Sequence, residues 1–378
     1  MINIENNIEA LYIHIPFCNK ICNYCDFYKM VANSHKEKYV EYLVKEIEIK
    51  KDLMKKLKTI YIGGGTPSSL PLNLMDYLLY HLFKYVDNKQ LIEFTVEVNP
   101  VDVTVDLVKL LKKYHVNRVS IGVQSFNEEK LKFLGRDHNK KVAVKAIKTL
   151  KKYGIKNLSI DIMYATPNDS FKKIKKDLIQ VIKLNVNHVS TYSLILEEKT
   201  ILHHLYKKNL YKPFDADEEY KIYLKLTKFL KAYGYNHYEI SNFAKPKYES
   251  HHNLVYWTNK KYLGIGAGAS YYINNIRYTN VMNLNDYYIG IDSNDLRYQE
   301  TAELTKVEQM QEEVILGLRM VNGINLIAFK EKYNVEFTEA FPIALNLVAK
   351  KLLKIKKHHI YIPEKKLYLS NSILTEFI

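Results

Sequence analysis

Between Leu11 and Tyr233 the chain alternates: short apolar runs of strand type are separated by longer stretches of helical period. Leu11–Ile15, Lys58–Ile62, Ile92–Val98, Arg118–Val123, Asn157–Met163 and His188–Leu194 read as strands. His35–Leu57, Asn73–Val86, Val103–Tyr114, Lys140–Tyr153, Ser170–Leu184 and Asp215–Tyr233 read as helices, two of them closed by Gly154 and Gly234. Six β-then-α units call for a parallel sheet with right-handed crossovers. Its strands are expected to be covered on both faces, in keeping with apolar runs such as Thr59–Ile62. Periodicity alone leaves open whether the sheet closes into a barrel. In barrels the chemistry sits at the C-terminal strand ends, so candidate residues are sought there.

The first strand end holds all three cysteines of the 378-residue chain, Cys18, Cys22 and Cys25, spaced C-x3-C-x2-C. Three thiolates this close cannot all pair as disulfides, and they suit a metal. Cysteine thiolates hold iron–sulfur clusters, usually four to a cluster. Three on a four-iron cluster leave one iron open, as catalytic metal sites keep an open position. Two plainer readings stand beside this one. Free cysteines are often inert core residues, although scattered core residues would not group so tightly. Zinc with His14 or Asp26 as fourth ligand is the other, although the spacing is unusual for zinc.

The C-x3-C-x2-C pattern with Tyr24 before its last cysteine resembles the radical S-adenosylmethionine superfamily. The flanks Tyr12-Ile-His-Ile-Pro-Phe-Cys18 and Tyr24-Cys25-Asp26-Phe27 resemble, within it, the HemN/HemW group of oxygen-independent coproporphyrinogen oxidases and haem chaperones. The oxidases carry a further cysteine at the position of Phe27, so here the chain departs from the oxidases and agrees with the chaperones. The resemblance implies an incomplete (β/α)6 barrel of TIM-like type. It also implies a 4Fe–4S cluster on Cys18, Cys22 and Cys25, with S-adenosylmethionine at the open iron.

The other strand ends carry polar groups. Gly63-Gly64-Gly65-Thr66 follows the second strand; glycines there let backbone approach a ligand, though a tight turn would use them too. Glu97 closes the third strand and could meet an ammonium group, although an isolated surface glutamate is the plainer reading. Gln124 and Arg136 follow the fourth; one can bond a hydroxyl or carboxylate, the other can fork onto a carboxylate. Asp161 lies in an otherwise apolar fifth strand and is costly there without a partner. Matched motif by motif, the resemblance places S-adenosylmethionine contacts on Tyr12, Tyr24, Gly64, Gly65, Thr66, Glu97, Gln124, Arg136 and Asp161. The family's Gly-Leu-Pro after the fifth strand is Ala165-Thr166-Pro167 here, which puts the shape of that loop in question.

Beyond the alternating region, His251-His252-Asn253-Leu254-Val255-Tyr256-Trp257 holds the only tryptophan. A packed aromatic corner with a hydrogen-bonded histidine accounts for it chemically, but haem iron also takes axial histidine. The stretch His252-Asn253-x-x-Tyr256-Trp257 resembles the haem-associated motif of the chaperones. This implies a haem site at His252, Tyr256 and Trp257, with His251 as the alternative ligand. Gly264-Ile-Gly266-Ala-Gly268 lacks the strand–turn–helix context of a dinucleotide fingerprint and is not read as one.

From Thr301 the pattern becomes helical. Thr305–Met320, Asn325–Tyr333 and Ala340–Ile355 read as helices, Tyr361–Leu369 as a hairpin and Asn371–Phe377 as a last helix. Three parts follow: a barrel over 1–240, a flanking segment with the haem motif over 241–300, and a mainly helical, winged-helix-like domain over 301–378. The run from Lys350 to His359 reads as a solvated helix face, with nucleic acid or a membrane surface as the other partners its charge would suit.

The net charge of +15 sits in a chain rich throughout in Lys, Asn, Ile and Tyr, and reads as composition more than as a polyanion site. No apolar run approaches the roughly 18–20 residues of a membrane span. The opening residues lack the pattern of a signal or transit peptide, so a cytoplasmic, reducing setting is expected. The resemblance then implies haem as cargo, an acceptor haemoprotein, an electron donor such as flavodoxin or ferredoxin, and a homodimer. The first alternative is an oxidase that decarboxylates coproporphyrinogen in porphyrin biosynthesis, against which Phe27 argues. A radical enzyme acting on RNA is the second, suggested by charge alone. The cluster residues do not decide between a carrier and an enzyme.

Overall fold

The computed structural model describes residues 8–378; the opening residues 1–7, read above for targeting signals, lie outside the described residues. The first six strands are β1 (Ala10–Ile15), β2 (Thr59–Gly64), β3 (Glu93–Val98), β4 (Arg118–Gln124), β5 (Asn157–Tyr164) and β6 (His188–Ser193). They pair in that order, all parallel. The connecting helices are α1 (Lys36–Lys50), α2 (Leu72–Leu82), α3 (Val105–Lys113), α4 (Glu128–Phe133), α5 (Lys140–Lys152) and α6 (Phe171–Lys183). After β6 come α7 (Ile201–Lys207) and α8 (Ala216–Ala232). The expected (β/α)6 arrangement is present.

The sheet continues past both edges of these six strands. On one side β6 pairs antiparallel with β8 (Asn242–Ala244), which pairs with β7 (Asn236–Glu239). On the other side β9 (Tyr262–Ile265) runs parallel to β1 and leads through β10 (Ser270–Ile273) and β11 (Ile276–Asn280) to β12 (Tyr298–Glu303). Among the described residues twelve strands form one sheet with β12 and β7 at its edges. Helix α9 (His251–Trp257) lies between β8 and β9 in the chain, and α10 (Leu284–Asp292) precedes β12. The Gly264–Gly268 stretch turns β9 into β10, a strand–turn–strand.

The strands are not apolar on both faces. Alternate residues such as Ile60, Ile62, Phe94, Val96, Ile121 and Ile160 belong to the same core cluster as α1 residues Leu43 and Ile47. The residues between them face inward and bond one another. Tyr61 reaches Glu97 at 2.5 Å, Arg118 reaches Thr95 at 3.3 Å, and Ser159 reaches His188 at 2.7 Å. A period of two therefore separates an apolar outer face from a polar and aromatic interior.

Residues from Met310 to Phe377 build a second apolar cluster. It contains α11 (Lys306–Gly317), β13 (Ile324–Asn325), α12 (Leu326–Tyr333), α13 (Phe337–Ala340) and α14 (Ile343–Ala349). A hairpin of β14 (Lys354–Lys356) and β15 (His359–Tyr361) follows, then α15 (Ser370–Leu374). The hairpin joins β13 in a three-stranded sheet, a winged-helix-like layout. Two expectations are corrected here. The helix over Ala340–Ile355 is broken before Pro342 and ends at Ala349. The hairpin is Lys354–Tyr361, not Tyr361–Leu369, because Lys357 and His358 take left-handed φ of 49° and 62° and make a two-residue turn. Neither is a residue type that announces such a turn. The Lys350–His359 run is therefore a turn and hairpin and not a helix face.

Glu364 ties the two clusters' elements together, bonded to Lys231 of α8 at 2.6 Å and to His237 of β7 at 3.1 Å. The His237 hydrogen bond and the Lys231 contact hold its carboxyl down to about 2. A carboxylate depressed in the folded state adds stability above its unfolded value and loses it as pH falls through the folded one. Urea unfolding should therefore lose about 1–2 kcal/mol between roughly pH 5 and pH 2, screening allowed for, and Glu364→Gln should remove that component. An unchanged acid limb in the variant would refute this assignment.

Candidate functional site

A cavity of about 540 Å³ opens at the C-terminal ends of the strands, and all three cysteines line it. Their loop is held locally. Cys18 N–H donates to Met30 O at 2.9 Å and Met30 N–H to Pro16 O at 2.7 Å. Asn23 pins the far side, with N–H to Leu134 O at 3.0 Å and Nδ2 to Phe133 O at 2.8 Å. All three thiols are free. Burial pushes the Cys18 thiol up to about 11 and the Cys25 thiol upward. Any metal that takes them must therefore displace protons.

Of the two fourth ligands considered for zinc, Asp26 lines the cavity with the cysteines and His14 does not. His14 is turned away, with Nδ1 bonded to Tyr12 at 2.9 Å and Nε2 to Tyr28 O at 3.0 Å. Among the described residues no trio of His, Cys, Asp or Glu is grouped tightly enough for a single metal ion. Three free thiols on one cavity wall could together hold a group larger than a single ion.

The glycine run reaches this loop because it has no side chains. Gly65 N–H donates to Ile15 O at 2.8 Å, and a Cβ on Gly65 would meet the Pro16 carbonyl carbon at 2.8 Å. Gly64 has φ +115°, and a Cβ there would lie 2.6 Å from the His14 ring. The close approach brings Thr66 Oγ1 to 3.4 Å from Cys18 Sγ.

Further round the cavity stand the charged groups. Glu97 accepts from Tyr61 OH at 2.5 Å and from Gly64 N–H at 3.3 Å, and burial pushes its carboxyl up to about 7. Asp161 finds the partners its setting requires, with Ser190 bonded to it and Arg118 and Arg136 facing it; burial still raises it to about 6. Arg136 donates to Cys22 Sγ at 3.2 Å, to Gly122 O at 2.6 Å and to Asn99 Oδ1, while its buried Nε has no partner among the described residues. Gln124 sits at φ +65°, left-handed for a residue with a Cβ, and accepts from Tyr192 OH at 2.6 Å. Strain of this kind persists where the surroundings impose it, often at ligand sites. Two carboxylates and a guanidinium beside three thiols suit a zwitterionic ligand of amino-acid type.

The loop after β5 keeps its turn without glycine. Ala165 itself adopts φ +61°, and Thr166 bonds Asp169 by N–H at 3.1 Å and Oγ1 at 2.9 Å. A buried Lys130–Asp169 pair at 2.9 Å braces it.

Most of the residues singled out in the sequence meet here: the cysteines, Tyr24, Gly64 to Thr66, Glu97, Gln124, Arg136 and Asp161 all line the cavity. Tyr12 does not. It lies inside the barrel with its hydroxyl on His14. The aromatic stretch lies at the opposite end. Helix α9 plugs the N-terminal mouth of the strands, where Glu93, first residue of β3, accepts from His251 N–H at 2.9 Å and His252 N–H at 3.1 Å. His252 is 0% exposed, bonded through Nδ1 to Thr59 at 2.9 Å and through Nε2 to Tyr256 at 2.7 Å. Burial holds its imidazole down to about 3, so it is neutral. His251 is exposed, and the buried Trp257 Nε1 has no partner among the described residues.

Sequence reasoning passed over Glu93, Tyr61 and Tyr192. A signal was there for the first: Glu93, Thr95 and Glu97 recur with period two on one face of β3.

Two families match the chain: "Radical SAM superfamily" over residues 12–179 and "HemN C-terminal domain" over residues 304–369. A protein of Lactococcus lactis named heme chaperone HemW is 38% identical over 372 residues, 98% of this chain and 97% of that one. Its namesake in Bacillus subtilis is 36% identical over 376 residues, 98% and 99% of the two chains. The solved structure of the Escherichia coli coproporphyrinogen III oxidase HemN, described as a radical SAM enzyme, shares the fold with a TM-score of 0.85 at 22% identity, covering 99% of this chain and 91% of that one. With the cysteine loop, the glycine run and the strand-end residues in place, the chain belongs to the radical S-adenosylmethionine superfamily and, within its HemN/HemW group, to the HemW family.

Proposed function

We propose that the protein is a haem carrier that holds a 4Fe–4S cluster on Cys18, Cys22 and Cys25 and S-adenosylmethionine beside it, and passes haem to an apo-haemoprotein. The observation that carries the cofactor half is the single cavity uniting three free thiols with Glu97, Asp161 and Arg136. A cluster of this type, reduced by a donor such as flavodoxin or ferredoxin, supplies one-electron cleavage of S-adenosylmethionine to a 5′-deoxyadenosyl radical. The chain's own residues orient the ligand. Glu97 would face its ammonium, Arg136 its carboxylate, and Gln124 a ribose hydroxyl. Phe27, 72% exposed at the cavity rim, stands where the oxidases have their extra cysteine, and the relatives' names supply the haem half. A reducing cytoplasmic setting and a homodimer fit the same reading. Among the described residues no helix is long and apolar enough to cross a membrane.

Glu97 must be ionised to pair with an ammonium. With its carboxyl near 7 in the free protein, affinity for S-adenosylmethionine should fall about tenfold per pH unit below 7. Calorimetry between pH 6 and pH 8 checks this; a flat profile would remove Glu97 from the role.

Haem is placed at α9. The buried imidazole of His252 is in the neutral form that ligates iron, but iron at Nε2 must displace Tyr256. His251, exposed on the same turn, is the alternative. Haem titration of anaerobically reconstituted protein, followed by absorbance, should show stoichiometric binding that His252→Ala abolishes. Loss in His251→Ala instead would move the ligand. No binding by wild type would overturn the carrier reading and make coproporphyrinogen decarboxylation the next assay.

A further inference from the structure

The two ends of the barrel are joined by one side chain. Tyr61 is the third residue of β2, with Thr59 two residues before it and Gly63 two after it on the same inner face. At the N-terminal mouth its ring stacks on His252, centroids 5.2 Å apart and planes at 29°. At the other end its hydroxyl donates to Glu97 Oε1 at 2.5 Å, while Glu97 Oε2 accepts from Gly64 N–H at 3.3 Å. Space around this pair is tight: a Cβ on Gly63 would lie 2.8 Å from Tyr61 Cε1 and 3.1 Å from Glu97 Cδ. His252 is fixed in turn by Thr59 and Tyr256, and the backbone of its helix by Glu93. A ring stacked on His252 at one face and tied to Glu97 at its tip links the two ends. From Thr59 to Gly64 the strand spans roughly 16 Å at the usual rise, a distance one stacked tyrosine and one carboxylate bridge.

We propose that Tyr61 is a positioning residue that ties Glu97 to helix α9, so that haem engagement at α9 and S-adenosylmethionine binding at Glu97 are thermodynamically linked. The proposal rests on the reading of the two sites given above and adds the route between them. Iron at His252 breaks the bond to Tyr256 and moves the ring that stacks on Tyr61. Tyr61 then shifts, and the Glu97 carboxylate loses or regains the geometry that meets an ammonium. Coupling between binding sites is reciprocal, so each ligand must change the other's affinity by the same factor.

The test uses anaerobically reconstituted full-length protein. The S-adenosylmethionine Kd is measured by calorimetry with and without one equivalent of haem, and the haem Kd by Soret absorbance with and without S-adenosylmethionine. In wild type both ratios should be equal and about fivefold or larger, the usual range of such coupling. In Tyr61→Phe, which keeps the ring and removes the hydroxyl, S-adenosylmethionine should bind about tenfold more weakly, the haem Kd should be unchanged, and the ratios should fall to one. A simple loss of stability would not erase coupling while leaving haem binding intact. Gly63→Ala, which crowds Tyr61 against Glu97, serves if the first variant does not fold, and should also reduce the ratio. Binding of both ligands to wild type with ratios of one, or an undiminished ratio in the variants, overturns the proposal and leaves the carrier reading standing. Failure of wild type to bind either ligand overturns both.

Discussion

Glu93→Ala should destabilise the protein by about 3–5 kcal/mol. Glu93 is 2% exposed, and its carboxylate accepts from Ser250 Oγ at 3.1 Å and from the N–H groups of His251 and His252 at 2.9 and 3.1 Å. These are the first donors of α9, which find no partner inside the helix. Removing the carboxylate leaves a hydroxyl and two backbone donors unpaired in a place water does not readily reach. A hydrogen bond to a charged group contributes about 1.5–3 kcal/mol, and three cannot all be replaced. Glu93→Gln, of the same size, should cost roughly half as much, because one acceptor oxygen remains. Trp257, the only tryptophan, lies on α9 and reports on this helix directly. Urea unfolding followed by its fluorescence and by far-UV circular dichroism should show the fluorescence transition moving to lower urea in Glu93→Ala, ahead of the dichroism. A cost below about 1 kcal/mol would mean that the carboxylate is not what holds α9 in the barrel mouth.

Cys22→Ala should abolish cluster binding while leaving the fold in place. The cluster has three thiols to use and no fourth cysteine to recruit. The side chain is only half-buried and its loss removes little packing. The loop that carries it is held by backbone bonds from Cys18, Met30 and Asn23 that alanine does not touch. Anaerobic reconstitution should therefore give a colourless variant with background iron and sulfide and a melting temperature near that of wild type. The variant also releases Arg136, which donates to Cys22 Sγ. Wild-type iron content in the variant would disprove the assignment of Cys22.

The two stability predictions, Glu93→Ala and Glu364→Gln, concern residues outside the cysteine cavity, although Glu93 also holds the helix that carries the haem site. The cysteine and Glu97 predictions concern the cavity alone. Their outcomes separate a protein that fails to fold from one that folds without its site.

Alternation of period two and period 3.6 determined the β/α order and placed each strand within a few residues, because apolar spacing along a strand or helix is local information. The cysteine spacing and the strand-end residues were legible for the same reason, since each lies in one short stretch. The strand pairs on either side of the six β/α units were not. They depend on β9 finding β1 and β8 finding β6, contacts between residues far apart in the chain. The hairpin at Lys357 and His358 was hidden because its left-handed turn uses residues that do not advertise one. What only the tertiary structure decided is which face of each strand does the work. It turned Glu93, Tyr61 and Glu97 onto one inner surface, put Tyr12 behind the cavity, and set α9 against the far end of the barrel from the cysteines. Those placements follow from how separate strands share an interior, and no single stretch of sequence contains them.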